Sequence, residues 1–198
     1  MSTLLADIGT ASIVFSPIIL AAVITSMSFI FQNINGFVYL AFLIAATLSR
    51  NAIASSFLQD SPKPSGGCFN KFPINYSEYD NEGFSIFVST FSFFYVCMPM
   101  FLNNDINFWV FAFLLLYIAA NIIGKKNCPQ ATSTFIANIV GGSLFGLFIT
   151  YFMYSGGGSK YLLYNEISSS KSMCSMANKQ TFKCLVYKNG ELIGSKTK

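Results

Sequence analysis

The chain has 198 residues, 53% of them hydrophobic and only 10% charged, with a mean hydropathy of +0.53. A soluble domain carries roughly 25% charged residues, so the bulk of this chain does not read as one. It contains no histidine. That excludes a histidine general base, a histidine-containing triad, a phosphohistidine and a histidine-ligated metal within the chain. Charge is unevenly spread. From Ser159 onward seven lysines accompany two glutamates, net +5, whereas residues 1–158 carry net −1.

Five apolar stretches follow one another: Ala11–Phe31, Gly36–Phe57, Phe84–Leu102, Asn107–Ile123 and Ser133–Met153. A hydrocarbon core about 30 Å thick needs roughly 17–25 residues of helix, and each stretch lies in that range. Backbone groups in lipid must be satisfied internally, which forces helices; the strict alternation of a membrane barrel is missing. The first stretch starts too late and runs too long for a cleaved signal peptide, so it reads as an uncleaved anchor. Pro17 and Pro99 predict local kinks. The second stretch contains Arg50 and ends in polar "SRNAIASSF", which predicts a crossing as far as Leu48 and an interfacial continuation. Two readings stand for Arg50. An intramembrane charge is a functional residue by default, and Asp60 is the nearest acid. The simpler reading is that Arg50 snorkels to the interface.

Residues 1–154 therefore form a membrane domain with a polar loop at 58–83. That loop is rich in Pro, Gly, Ser and Asn and is long enough to suggest a function. The glycines of 155–158 read as a hinge. Residues 159–198 form a small lysine-rich tail outside the membrane. Five crossings place the two termini on opposite faces. In the last span Gly142 and Gly146 form a G-x-x-x-G pair, with Asn138 one turn earlier. Small residues at this spacing allow close helix packing, and Asn138 can hydrogen-bond across the contact.

In the tail, "TFKCLVY" alternates and is followed by "KNG" and "ELIG". Asn-Gly between two such runs is the strongest short hairpin signal, which puts the turn at Asn189–Gly190. "KYLLY" is a candidate third strand. Cys174 and Cys184 are ten residues apart. A bridge between them would contribute about 2–3 kcal/mol; the other reading is two unpaired thiols. Cys68 and Cys128 lie on the opposite face. Since one face of an ordinary membrane is oxidising, at most one of the two pairs is a disulfide. No catalytic, cofactor-binding or metal-ligating set emerges.

Two resemblances bear on function. "SRNAIASSFLQD" and "PSGG" resemble fragments of the motifs of type 2 phosphatidic acid phosphatases. Ser56 stands where a histidine belongs, Gly67 replaces the other, and the order is reversed, so only a degenerate relative is implied. The heavy use of Phe, Asn, Lys and Tyr, with an oily body capped by a tail such as "KQTFKCLVYKNGELIG", resembles small multi-span proteins of nucleocytoplasmic large DNA viruses. That resemblance implies a structural role in a virion inner membrane, linking lipid to minor capsid proteins.

The expectation is an all-α integral membrane bundle of about five helices with a β-hairpin-containing tail. It serves as a non-enzymatic scaffold without a cofactor. Its partners are membrane lipids and structural capsid proteins, with no nucleic acid, and an oligomer is possible within an assembly. The competing class is a small transporter, channel or lipid-handling protein, for which Arg50 and Asn121 would line a cavity.

Overall fold

A computed structural model describes residues 11–58, 76, 81–125 and 132–163, and the backbone of 183–188 and 191–197. The chain divides into two units, Met1–Asn165 and Glu166–Lys198.

The first unit is helical. Its elements are α1 (Ser16–Ile30), α2 (Asn35–Leu58), α3 (Asn81–Leu102), α4 (Phe108–Gly124), α5 (Thr132–Ser155) and a short 3-10 turn, η1 (Ser159–Tyr161). Three helices are long and apolar enough to cross a membrane: α2 over Asn35–Ser56, α3 over Gly83–Leu102 and α5 over Ser133–Ser155. The other two are apolar but shorter, 15 residues in α1 and 17 in α4.

The shortness of α1 has a local cause. Residues 11–14 are already helical, and the helix restarts at Ser16 after a one-residue break at Phe15. Pro17 has no N–H to donate back to residue 13, so one rung of the ladder is missing. The bonds from Phe15 N to the Ala11 carbonyl and from Ile19 N to the Phe15 carbonyl, both 2.9 Å, carry the chain past the gap. α3 stays helical through Pro99. α2 is one continuous helix to Leu58.

α3 is the central helix. Of its apolar window, 72% is buried, against 22% for α2 and 28% for α5. Its most extensive partner is α5. Gly142 lies against Phe87, Thr90 and Phe91, and Gly146 against Phe91, Phe94 and Tyr95, so the two helices run parallel. A Cβ on Gly146 would stand 2.8 Å from the Phe91 carbonyl oxygen, closer than real side chains approach. Both glycines of the G-x-x-x-G pair thus face another helix of the same chain. α1 and α2 form a hairpin in which Ser28 of α1 accepts a hydrogen bond from Gly36 N, satisfying a donor in the first turn of α2. Both tight turns use a left-handed residue, Gln32 and Asn104, each with φ 51°.

Around α3 the distribution of polarity is inverted relative to a water-soluble protein. Buried side chains include Ser16, Ser28, Asn35, Arg50, Ser85, Ser89, Thr90, Ser92, Asn121, Lys125, Asn138 and Thr150, beside the aromatic core of Tyr39, Phe87, Phe91 and Tyr95. The outer surface carries Leu116, Ile123, Leu144, Phe148 and Phe152, all exposed.

After α5 the chain turns back. Gly158 N bonds the Met153 carbonyl at 2.8 Å, and Gly157 supplies the left-handed residue, φ 73°, that this reversal requires. Residues 159–161 form η1 rather than the strand proposed for "KYLLY". Leu162 is fully buried, and Asn35 Nδ2 donates to the carbonyls of Lys160 and Leu162. The residues just after the glycines of 155–158 are therefore fastened to the start of α2.

In the second unit, β1 (Lys183–Lys188) and β2 (Glu191–Thr197) pair antiparallel, with a register shift between Val186 and Tyr187. The Asn189–Gly190 turn and Cys174 lie outside the described residues, as does the Cys184 side chain.

Candidate functional site

Chain order and the pairings above define two ends of the bundle. The turn end holds the α1–α2 and α3–α4 turns and η1. At the far end α1 and α3 begin and α2 and α4 finish. Polar chemistry concentrates at the far end, where all five helices contribute.

One ring of bonds joins α1 to α4. Ser16 Oγ donates to Asn121 Oδ1 at 2.8 Å, Asn121 Nδ2 donates to the Tyr117 carbonyl at 3.0 Å, and Tyr117 Oη donates to the Ser16 carbonyl at 2.6 Å. A second group joins α2 to α5 and α3. Arg50 is 7% exposed. Its Nε donates to Asn138 Oδ1 at 2.8 Å and its Nη1 to Asn51 Oδ1 at 3.2 Å. Its guanidinium stands 5.5 and 5.7 Å from the ring centroids of Phe84 and Phe87. Arg50 does not snorkel outward. An amide acceptor on the neighbouring helix and two aromatic rings hold it inside. Asn138 acts here as the acceptor for Arg50, and its own Nδ2 donates to the Thr134 carbonyl at 2.8 Å.

Lys125, at the end of α4, is 8% exposed and donates through Nζ to Ser85 Oγ at 2.6 Å. Two buried cations therefore flank the first turns of α3. Tyr76 stacks on Phe84, 5.0 Å between centroids and 3° between planes, and its hydroxyl donates to the Val14 carbonyl at 3.1 Å. Burial raises the Tyr76 hydroxyl above the ordinary tyrosine pKa.

Midway along α3, Ser92 Oγ donates to the Val88 carbonyl at 2.7 Å, which leaves it to accept from Tyr39 Oη of α2 at 2.6 Å. Ser89 and Thr90 bond carbonyls one turn back in their own helix. Toward the turn end the accounting changes. The buried hydroxyls of Thr25, Tyr95 and Thr150 have no hydrogen-bond partner.

The arrangement is chemically one of fastening. Hydroxyls, amides and two cations are used against each other and against the backbone. Among the described residues no three His, Cys, Asp or Glu side chains converge. Cys97 is a free, buried thiol inside α3. Sequence reasoning named Arg50, Asn138, Gly142, Gly146 and Asn121, and the structure places all of them in contacts inside the first unit. It missed Ser16, Ser85, Lys125, Tyr39 and Asn35. The spacing of Ser85, Ser89 and Ser92, at i, i+4 and i+7 on one face of a helix, is the signal that marks the buried side of α3.

Comparisons add no relative. No protein-family model matches the chain, and neither the curated proteins nor the solved structures contain a match.

Proposed function

We propose that the protein is a five-span membrane anchor that joins a bilayer to neighbouring structural proteins through its tail and its 58–83 loop. The observation that carries this reading is the inversion of polarity. Side chains from all five helices hydrogen-bond inward, while the outer surface is apolar. Lipid accepts no hydrogen bonds, so this is the arrangement a bilayer demands.

Two arguments extend three crossings to five. α3 and α5 are parallel, so the chain between them returns across the bilayer, and α4 is the element available. Its 17 residues span about 25 Å at 1.5 Å per residue. α1 with its leading turn covers residues 11–30, about 30 Å, enough for the hydrocarbon core. The tail supplies net +5 and a hairpin joined at Asn189–Gly190. A two-stranded ribbon has free edges that accept a further strand from a partner. The resemblance to virus membrane proteins points to capsid proteins as that partner class.

The polar interior favours an anchor over a transporter because its far-end groups are engaged with one another. Arg50 and Lys125, buried cations, are the observation on the other side. Three measurements test the reading. Removal of residues 166–198, the second unit, is expected to leave the protein resistant to alkaline carbonate extraction while abolishing co-purification of partner proteins. Retention of partners would sink the docking role. Ser2→Cys is expected to be labelled by an impermeant thiol reagent on the same side as Cys68 and Cys128; the opposite side would remove α1 as a span. Ion or solute flux through reconstituted vesicles above the protein-free level would move the reading to transport.

A further inference from the structure

The two ends of the bundle present different side chains outward. At the turn end the exposed large residues include Trp109 at 82% exposure, Phe108, Tyr151, Tyr154 and Tyr161. Trp109 is the second residue of α4, Tyr151 and Tyr154 lie in the last turn or so of α5, and Tyr161 closes η1. All stand within about one helical turn, 5.4 Å, of the element ends. Lys160, also exposed, places its Nζ 4.9 Å from the centroid of the Tyr161 ring. At the far end the exposed large residues in the terminal turns include Ile18, Ile19, Ile53, Ile123 and Ile136. The turn end also exposes Phe29, Ile30, Phe31, Ile34 and Ile106, so apolar side chains mark both ends and the rings with a polar tip distinguish one. Among the described residues, every exposed Trp or Tyr is at the turn end.

Indole and phenol rings have an apolar body and a polar tip. They are enriched where acyl chains meet headgroups, because only there are both parts solvated. We propose that the turn end of the bundle is a lipid-headgroup contact surface, with Trp109, Tyr151, Tyr154 and Tyr161 at the boundary between acyl chains and headgroups. The occupant is lipid rather than protein. The rings come from three elements, α4, α5 and η1, each near an end that lies at the turn end, and a lysine, Lys160, stands beside one of them, as a cation facing lipid phosphates would. This rests on the membrane-spanning reading and adds a depth to it. The polar turn at Asn103, Asn104 and Asp105 and η1, held to the start of α2 by Asn35, then lie in the headgroups.

Trp109 is the only tryptophan in the chain, so its fluorescence reports this surface without mutation. The full chain is reconstituted in phosphatidylcholine vesicles whose lipids carry bromine either near the headgroup end of the acyl chains or near their termini. Shallow bromines are expected to quench at least about twofold more than deep ones, as interfacial indoles do, and aqueous iodide is expected to quench weakly. Stronger quenching from deep bromines, or no quenching from either with strong quenching by iodide, overturns the proposal. Carbonate extraction of the same vesicles separates the two failures. A protein that extracts sinks the membrane-spanning reading. A protein that stays inserted with a deep or lipid-free Trp109 sinks only this surface.

Discussion

Adjacent glycines in α5 provide a paired test of the helix packing. A Cβ added at Gly142 would overlap the Thr90 hydroxyl, sit 2.5 Å from the Phe87 carbonyl oxygen and 3.1 Å from Phe91 N. Two of these three atoms are backbone of α3 and cannot rotate away. Relief requires α3 and α5 to separate by about 0.5–1 Å, which forfeits a quarter to a half of each dispersion contact across the seam. Overpacking of this kind costs about 1–3 kcal/mol, and the better helix propensity of alanine returns about 1 kcal/mol. At Gly141 the same Cβ would meet only the Phe87 ring, at 3.5 and 3.7 Å, an ordinary contact. Gly141→Ala is therefore expected to be neutral or up to about 1 kcal/mol stabilising. The two variants should differ by about 2 kcal/mol, roughly 30-fold in the unfolding constant. Equilibrium unfolding in mixed detergent micelles, followed by near-UV circular dichroism, measures this. Equal stability of the two alanine variants, or a more stable Gly142→Ala, would refute the parallel α3–α5 packing.

Four further outcomes follow from the same contacts. Thr150→Val should leave stability unchanged or raise it by about 1 kcal/mol in the same assay, because the buried hydroxyl has no partner to lose; a loss above that size would mean the hydroxyl is bonded. A Ser16→Ala, Asn121→Ala double-mutant cycle should return a coupling of about 0.6 kcal/mol, the size typical of hydrogen bonds between membrane helices, and a null cycle would count against the α1–α4 ring. Tyr76 should make stability fall at alkaline pH. Its native pKa is raised, so its contribution is whole below the ordinary tyrosine value near 10 and is lost as pH climbs through the raised one; Tyr76→Phe should flatten that part of the profile, and an unchanged profile would contradict it. Asn35→Ala should release residues 159–163 and speed cleavage by a soluble protease between Ser155 and Asn165, since it removes both bonds to that segment. Unaltered cleavage would show that burial of Leu162 alone holds it.

The helical body was legible because apolar runs of this length have few other folds available to them. Pro17 was legible too, as a missing rung. The glycine pair could be read because closeness depends on the absence of a side chain, a property visible in one letter. The direction of Arg50 could not. Whether a cation near a helix end turns out or in depends on an acceptor 88 positions along the chain, Asn138, and on two rings of a third helix. Lys125 reads as a loop lysine beside Lys126 until Ser85 is found next to it. The glycine-rich "SGGGSK" suggests flexibility by composition. What fastens the residues that follow the glycines is one buried residue, Leu162, and one amide, Asn35, neither of which forms part of a local pattern.

The central position of α3 has a consequence for how the chain is made. Synthesis runs from the amino terminus, so α3 is complete before α5 exists. During that interval the side of α3 that later meets Gly142 and Gly146 has no partner from α5. The hydroxyls of Ser89, Thr90 and Ser92 are already turned back onto carbonyls of their own helix, so they need no partner from α5. The seam with α5 can close only after the twenty-nine residues 103–131 between the two helices have been made.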